Sequence, residues 1–139
     1  MKNITFSTSA TISFGHKVLQ VQEEQEHECQ NLHGHDFHFT IEFVSDDKVV
    51  FANRYEAITR YLKDNWENRM LVYDRDPMGM KLSEIDPNVV FVPFNPTAES
   101  IAEYIVVVLG TSLLRDTNYT ITKCSVQQGN KLTANYTIL

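Results

Sequence analysis

Three histidines and one cysteine lie within the short stretch "CQNLHGHDFHF", Cys29 to Phe39, of a 139-residue chain that has five histidines and two cysteines in all. Imidazole and thiolate groups are ligands that zinc prefers in proteins. A thiol beside a divalent cation also ionises more easily and can act as a base or a nucleophile. The residue types therefore indicate metal binding and proton transfer, and the geometry of both depends on the strands that carry them.

His33, His35 and His38 lie in one of two segments that alternate between apolar and polar residues, as half-buried antiparallel strands do, and His16 lies at the end of the other. The first segment predicts a strand that ends near Gly15, and the second predicts a strand that begins at about His33. Residues two apart on a strand face the same way. His16 therefore shares the predicted buried face of the first strand with Ile12 and Phe14.

On the second strand, His33 and His35 share parity with Phe37 and Ile41, whereas His38 has the opposite parity and is predicted to point away. A lone histidine on an apolar face is usually a packed core residue, but three with matching parity favour a shared site. Three neutral imidazoles at one end of a sheet predict a zinc site with an open fourth position, which is typical of catalytic zinc.

Cys29 lies four residues before His33, and three roles are open to it. A free cysteine is often a small buried hydrophobe. Near a metal its thiolate can act as a base, or it can be a fourth zinc ligand, which would close the site and make it structural. The spacing leaves these roles open. Cys124 is interpreted as a separate thiol, because two distant cysteines are poor evidence for a disulfide framework.

Size and composition predict one domain over residues 1–139 of an ordinary globular protein. The net charge is −6 and the lysines and arginines are scattered. Nucleic acid is therefore not expected as the main partner, because phosphate binding needs clustered cations. The sequence has no apolar run long enough to span a bilayer, and its first residues lack the apolar core of a signal peptide, so we expect no membrane insertion and a cytoplasmic location.

The rest of the chain predicts two helices among short strands. The first helix begins after Asn53, with Glu56 completing a capping box, and the second covers residues 95–114, entered through Pro96. An exposed loop is expected at residues 20–28, and further strands are expected at residues 49–52, 89–94, 118–127 and 132–138. Because these strands follow one another without long helical crossovers, the fold class predicted is α+β with an antiparallel sheet.

At this point the residues resemble a known family. "FGH" followed by "CQNLHGHDF" resembles the metal-binding signature of the 6-pyruvoyltetrahydropterin synthase family. "NPTAESIAEYI" is similar to its PTxEN helix start, with Ser100 in place of the asparagine, and "ANY" is similar to its terminal strand. The resemblance covers most of the chain. The three residues between Cys29 and His33 match the bacterial branch that includes 6-carboxytetrahydropterin synthase, an enzyme of queuosine biosynthesis.

The resemblance implies a tunnelling fold, in which a four-stranded antiparallel sheet carries two helices on one face. It also implies homo-oligomers, trimers or hexamers, with active sites at subunit interfaces. The implied substrate is 7,8-dihydroneopterin triphosphate or a related pterin, and the implied cofactor is zinc. By the same resemblance Cys29 is a proton-transferring thiol and Thr97 contacts substrate. The implied metal ligands are His16, His33 and His35.

The chain departs from the family pattern at two places. In "WENRML", Glu67 stands where the family has an aspartate, and Asn68 stands where it has the histidine that serves as its second acid or base. The amide of Asn68 cannot carry a proton at neutral pH. Gln128 stands where the family uses a glutamate to bind the pterin. An amide offers one acceptor and one donor group, whereas a carboxylate accepts two hydrogen bonds. Sequence candidates to replace the lost base are His27, Asp74 and Asp76.

These residues predict a zinc-dependent lyase of the 6-carboxytetrahydropterin synthase type with weakened or altered activity. The main alternative is a catalytically silent paralogue that binds a pterin or a purine. A third hypothesis, a purely structural zinc domain, requires Cys29 to be a metal ligand.

Overall fold

A computed structural model of the chain describes residues 4–19 and 31–138. Strand β1, Ile4–Lys17, pairs antiparallel with strand β2, His33–Ser45, along almost their whole length. The two strands alternate between buried and exposed residues as predicted, and β1 runs two residues past its expected end at Gly15. The hairpin partners therefore present one apolar face and one polar face.

Four further strands are β3, Met70–Tyr73, β4, Val89–Val92, β5, Tyr119–Gln128, and β6, Leu132–Thr137. Among the described residues, six strands form one sheet in the order β4-β3-β1-β2-β5-β6. The α+β class and the tunnelling-fold architecture are confirmed, but the predicted count of four strands is wrong. β1, β2, β5 and β6 pair antiparallel, whereas β3 and β4 add two parallel pairings beside β1.

Strand β3 escaped prediction because its sequence does not alternate. Leu71 and Val72 are adjacent in the chain and both are fully buried. A strand covered on both faces loses the apolar-polar period from which a strand is recognised. Only four residues long, β3 offers no other signal.

The predicted strand at residues 49–52 is wrong. Both edges of β2 are already occupied, one by β1 and the other by β5, so β2 has no free edge for the returning segment. Val49 and Phe51 are exposed, and the backbone N–H of Phe51 instead donates to the hydroxyl of Tyr119 at 3.0 Å.

The first helical region consists of a single turn, α1, Ala52–Tyr55, followed by α2, Ala57–Trp66. The predicted capping box at Asn53 and Glu56 is wrong, because α1 begins before Asn53 and neither helix start has a side-chain cap. The apolar stripe is correct: Ile58, Leu62 and Trp66 are buried.

After α3, Gly79–Ile85, and β4, the second predicted helix begins as α4, Ala98–Tyr104. It continues through a wider turn, Ile105–Leu109, into the short α5, Gly110–Leu113. The wider turn coincides with a run of β-branched residues, whose side chains crowd the preceding turn of an α-helix.

One apolar cluster holds the sheet and the helices together. It joins the inward side chains of β1, β2 and β5 to buried residues of α2 and α4, among them Phe37, Phe39, Leu62 and Ile101. The hairpin between β5 and β6 turns at Gly129, whose φ of 55° suits glycine. None of the helices in the described residues is long and apolar enough to cross a membrane.

Candidate metal centre

Three histidine side chains converge at one end of the β1–β2 pair. His16 lies directly opposite His33, and His35 is two residues further along β2. The ring centroids are 4.4 Å apart for His16 and His33, 5.3 Å for His16 and His35, and 4.8 Å for His33 and His35. One ligand nitrogen from each ring lies within 4.8 Å of the others. The parity argument therefore predicted the convergence correctly.

Two of the three rings are oriented by backbone carbonyl groups. The Nδ1 atom of His16 lies 2.7 Å from the carbonyl oxygen of Pro96, and Nδ1 of His33 lies 2.7 Å from that of Asn31. A carbonyl oxygen can only accept, so each Nδ1 carries the proton and donates it. The lone pair of each ring is then on Nε2, the arrangement by which metal-binding histidines are normally held.

Two ring nitrogens of the histidine cluster have no hydrogen-bond partner within residues 4–19 and 31–138. Nε2 of His16 and Nε2 of His35 are buried and have no hydrogen-bond partner among the described residues. A buried polar atom without a partner costs free energy, which makes it a candidate for a group that the polypeptide itself does not supply. Three imidazoles grouped in this way fit a divalent metal such as zinc.

Burial also keeps the rings in the form that a metal needs. It lowers the pKa of His16 from 6.5 to about 4, an effect that the carbonyl of Pro96 opposes and the neighbouring His33 and His35 reinforce. The pKa of His35 is lowered by burial, then by His33 and Lys131. Metal ligation requires neutral imidazole, so these two rings are already suited to it near neutral pH.

The three histidines His16, His33 and His35, here called the triad, pack against the aromatic core. The ring of Phe37 lies 5.4 Å from that of His16 and 5.6 Å from that of His35, between centroids, and it stacks on Phe14 at 4.0 Å. Phe37 is fully buried. His38, by contrast, is exposed and bonds the hydroxyl of Thr11 at 2.7 Å, so it points away as predicted.

Gln128 lies on the same side of the sheet as the triad. It is in register with Phe37 across the β2–β5 pair and is buried. Gly129, the next residue, is close enough that an added Cβ would lie 3.7 Å from Nδ1 of His35. The structure thus brings the predicted substrate-binding glutamine to the triad face, next to the strand that carries two of the histidines.

Asn68 follows α2 in a left-handed backbone conformation, with φ of 61°. Its N–H donates to the carbonyl oxygen of Ser13 at 2.7 Å, which ties the end of the helix to β1. Asn68 and His35 line one cavity of about 570 Å³, which is also lined by Ser13 and Asp36. Glu67 is partly exposed and ends α2.

The structure gives the hydroxyl of Thr97 a local partner. It accepts the N–H of Ser100 at 3.1 Å and so caps α4, which is a structural role at the residue predicted to contact substrate. Cys29 and His27, predicted from the sequence to take part in proton transfer, lie outside the described residues.

Asp76 is poorly suited to replace a missing base. Its carboxylate is buried, forms an ion pair of 2.5 Å with Lys17, and accepts the N–H of Met78 at 3.0 Å. Asp74, the other candidate in this loop, is exposed.

Two contacts at or near the centre were missed in the sequence. One is the Pro96 carbonyl oxygen that orients His16, and the other is Asn95, whose side chain bonds the backbone of Leu19. "NPT" before a helix indicated only how the helix begins. Backbone acceptors and long-range amide contacts leave no residue pattern from which they can be recognised.

Comparison with known proteins identifies relatives of this architecture. The sequence profile of the family described as 6-pyruvoyl tetrahydropterin synthase matches residues 5–138. No curated protein matches the sequence.

Similar solved structures cover nearly the whole chain. An uncharacterized protein from Wolinella succinogenes is 17% identical, with a TM-score of 0.78 over 99% of this chain and 100% of that one. The 6-pyruvoyl tetrahydropterin synthase of Caenorhabditis elegans is 16% identical, with a TM-score of 0.64 over 98% and 96%. The Plasmodium falciparum enzyme of the same name is 14% identical, with a TM-score of 0.63 over 98% and 100%. At these identities the likeness concerns the fold.

Proposed function

Because the chain belongs to the 6-pyruvoyl tetrahydropterin synthase family, we propose that it is a zinc-dependent lyase of the 6-carboxytetrahydropterin synthase type. Its substrate is 7,8-dihydroneopterin triphosphate or a related pterin, and its activity is weakened or altered. The observation that supports this most strongly is the convergence of His16, His33 and His35, in which two buried Nε2 atoms have no partner among the described residues.

The three histidines would hold the metal through nitrogens whose lone pairs face inward, while Pro96 and Asn31 keep two of the rings in the required tautomer. A zinc ion held there would supply Lewis-acid polarisation of an oxygen on the substrate side chain, which would acidify the neighbouring C–H bond. The Cys29 thiolate takes that proton and becomes a thiol, as the family resemblance implies. Triphosphate and acetaldehyde are the groups that leave in this branch.

In this proposal, Asn68 lowers the rate of the reaction. An amide neither takes up nor releases a proton near neutral pH, so Cys29 works without a second acid or base. The backbone at this position nevertheless accepts histidine, because His is among the few residues enriched at positive φ. Restoring the family residue therefore needs no change in the main chain.

Gln128 changes the recognition of the ring. A pterin edge presents a ring N–H and an exocyclic amine, both donors, and a carboxylate accepts from both. Gln128 can accept only one of these bonds and turns its own NH₂ toward the other donor. The loss of a charged contact of this kind costs roughly 1.5–3 kcal/mol. A ring whose edge pairs a donor with an acceptor would suit Gln128 better.

The second candidate function is a silent paralogue that binds a pterin or a purine. The observation that favours it is that both departures remove a titratable group while the histidine triad is intact. In either case we propose a homo-oligomer, trimer or hexamer, with the sites at subunit interfaces, as in the family. Native mass spectrometry tests this assembly directly.

Turnover of 7,8-dihydroneopterin triphosphate by the zinc-loaded protein, with Cys29→Ala as control, tests the proposed function. Product that forms with the wild type and disappears in the control supports the lyase. Absence of product from the wild type, together with product from the Asn68→His, Gln128→Glu double variant, indicates a weakened enzyme of the same type. No product from either chain, with one zinc bound per subunit, favours the binding paralogue.

A further inference from the structure

Asn95 joins the start of α4 to the end of β1 through two hydrogen bonds of its side chain. Its Oδ1 accepts the backbone N–H of Leu19 at 2.8 Å, and its Nδ2 donates to the carbonyl oxygen of Leu19, also at 2.8 Å. A side-chain amide carries the same donor and acceptor as a peptide group. The two bonds therefore resemble the hydrogen bonds of one residue pair in a β-sheet. They fix both the distance and the orientation of two segments that are distant in the sequence.

The next residue, Pro96, carries the carbonyl group that receives the Nδ1 proton of His16. The link between Asn95 and this carbonyl has little freedom, because proline fixes its own φ and restricts the residue before it. The N–H of Thr97 also donates to the carbonyl oxygen of Asn95 at 2.8 Å, which closes a tight turn around Pro96. The anchoring of Asn95 thus determines where the Pro96 carbonyl lies.

His16 is consequently held at two points by consecutive residues. Its ring is held through Pro96, and its chain is held three residues later, where Asn95 bonds Leu19. Val18, which lies between these points, is buried. Neither contact involves Nε2 of His16, so both contacts aim the ring without blocking the nitrogen that faces the triad.

We propose that Asn95 is a positioning residue of the metal centre. It holds the Pro96 carbonyl where this group fixes the Nδ1–H tautomer of His16 and directs Nε2 toward His33 and His35. A ligand ring that is oriented before the metal arrives loses less freedom on binding, which raises the affinity. The role of the metal rests on the proposed function, whereas the tautomer of His16 is a property of the chain itself.

Asn95→Asp is the sharpest variant, because it keeps the shape of the side chain and replaces the Nδ2 donor by an oxygen that repels the Leu19 carbonyl. Asn65→Asp is the matched control, since Nδ2 of Asn65 donates to the carbonyl oxygen of Tyr61 at 2.9 Å on the exposed side of α2. Imidazole ¹⁵N NMR of the metal-free proteins reports the tautomer of His16. Competition with a chelator reports the affinity for zinc.

We expect the wild type and Asn65→Asp to show a slowly exchanging Nδ1 proton on His16. Asn95→Asp should lose this signal and bind zinc about 10- to 100-fold more weakly, the usual effect of removing a group that orients a metal ligand. Should Asn95→Asp fail to fold, Asn95→Ala removes both bonds without adding charge and is measured in the same way.

An unchanged His16 signal and zinc affinity in the variant would overturn the proposal. So would a lower thermal unfolding midpoint with both readouts unchanged, because Asn95 would then serve stability alone. If the His16 signal is lost in Asn95→Asp but no chain binds zinc, the proposed function fails, and the role of Asn95 in fixing the His16 tautomer stands without it.

Discussion

His16 and His33 face each other directly across β1 and β2, with ring centroids 4.4 Å apart, and each donates its Nδ1 proton to a backbone carbonyl oxygen. The two rings thus share one tautomer although their acceptors, Pro96 and Asn31, lie in unrelated parts of the chain. An opposed pair oriented in this way would offer a metal two ligand nitrogens, and His35 would offer a third.

Removal of one imidazole should greatly weaken metal binding. We expect the wild type to bind one zinc per subunit and His33→Ala to bind at least about 100-fold more weakly, because only two of the three proposed ligand nitrogens remain. His38→Ala is the matched control, since this histidine lies on the opposite face of β2. Metal analysis after dialysis and chelator competition measure both, and equal zinc content in His33→Ala and His38→Ala would contradict the proposed site.

Asn68 should be sensitive to substitution for a backbone reason. Its φ of 61° is unfavourable for alanine, so Asn68→Ala should lower the free energy of unfolding by about 1 kcal/mol. Asn68→Gly and Asn68→His should lie closer to the wild type, because glycine and histidine accept this conformation more readily. Urea unfolding measures the difference, with Asn88→Ala as an exposed control. If Asn88→Ala lowers the free energy of unfolding by the same amount, the backbone conformation at residue 68 is not the cause.

Gln128→Glu should strengthen pterin binding. The carboxylate accepts from both donors of the pterin edge, and recovery of roughly 1.5–3 kcal/mol corresponds to about 10- to 150-fold in affinity. Gln127→Glu adds the same charge one residue away, on the opposite face of β5, where the side chain is exposed. Fluorescence titration with a dihydropterin compares the two. A gain in Gln127→Glu as large as in Gln128→Glu would point to general electrostatics rather than to a contact with the ring.

The thiol of Cys124 should be inert in the native protein. Burial raises its pKa from 9 to about 12, and the residue is fully enclosed in the core. In the Cys29→Ala background we expect no reaction with a thiol reagent at pH 8 until guanidinium unfolds the chain. Between pH 9 and about 12 the thiol ionises in the unfolded chain but stays protonated in the native protein. The free energy of unfolding should therefore fall as the pH rises through this range. Rapid native labelling would mean that the core opens around β5.

The sequence predicts those parts of the site that depend on alternation. Period-two patterns on β1 and β2 predicted that His16, His33 and His35 share one face and that His38 does not. Residues 49–52 show the limit of such patterns, because their apolar character indicated a strand although β2 has no free edge for them.

Long-range relationships were beyond prediction for a different reason. The contact between Asn95 and Leu19 depends on where α4 comes to lie after the core has packed, and no local rule relates two residues so far apart. Strand β3 was beyond prediction for the same reason, because tertiary packing determines which strands lie beside it in the sheet.

The pairing of β2 with β5 has a kinetic consequence. It brings Phe37 beside Gln128, two residues separated by most of the chain, whereas all three histidines lie on a single pair of strands close together in sequence. Local contacts form early in folding, and distant pairings form late because a long loop must first be closed. The imidazoles are therefore expected to assemble before Gln128 arrives beside them, so a metal present during synthesis would meet its ligands while the chain is still incompletely folded.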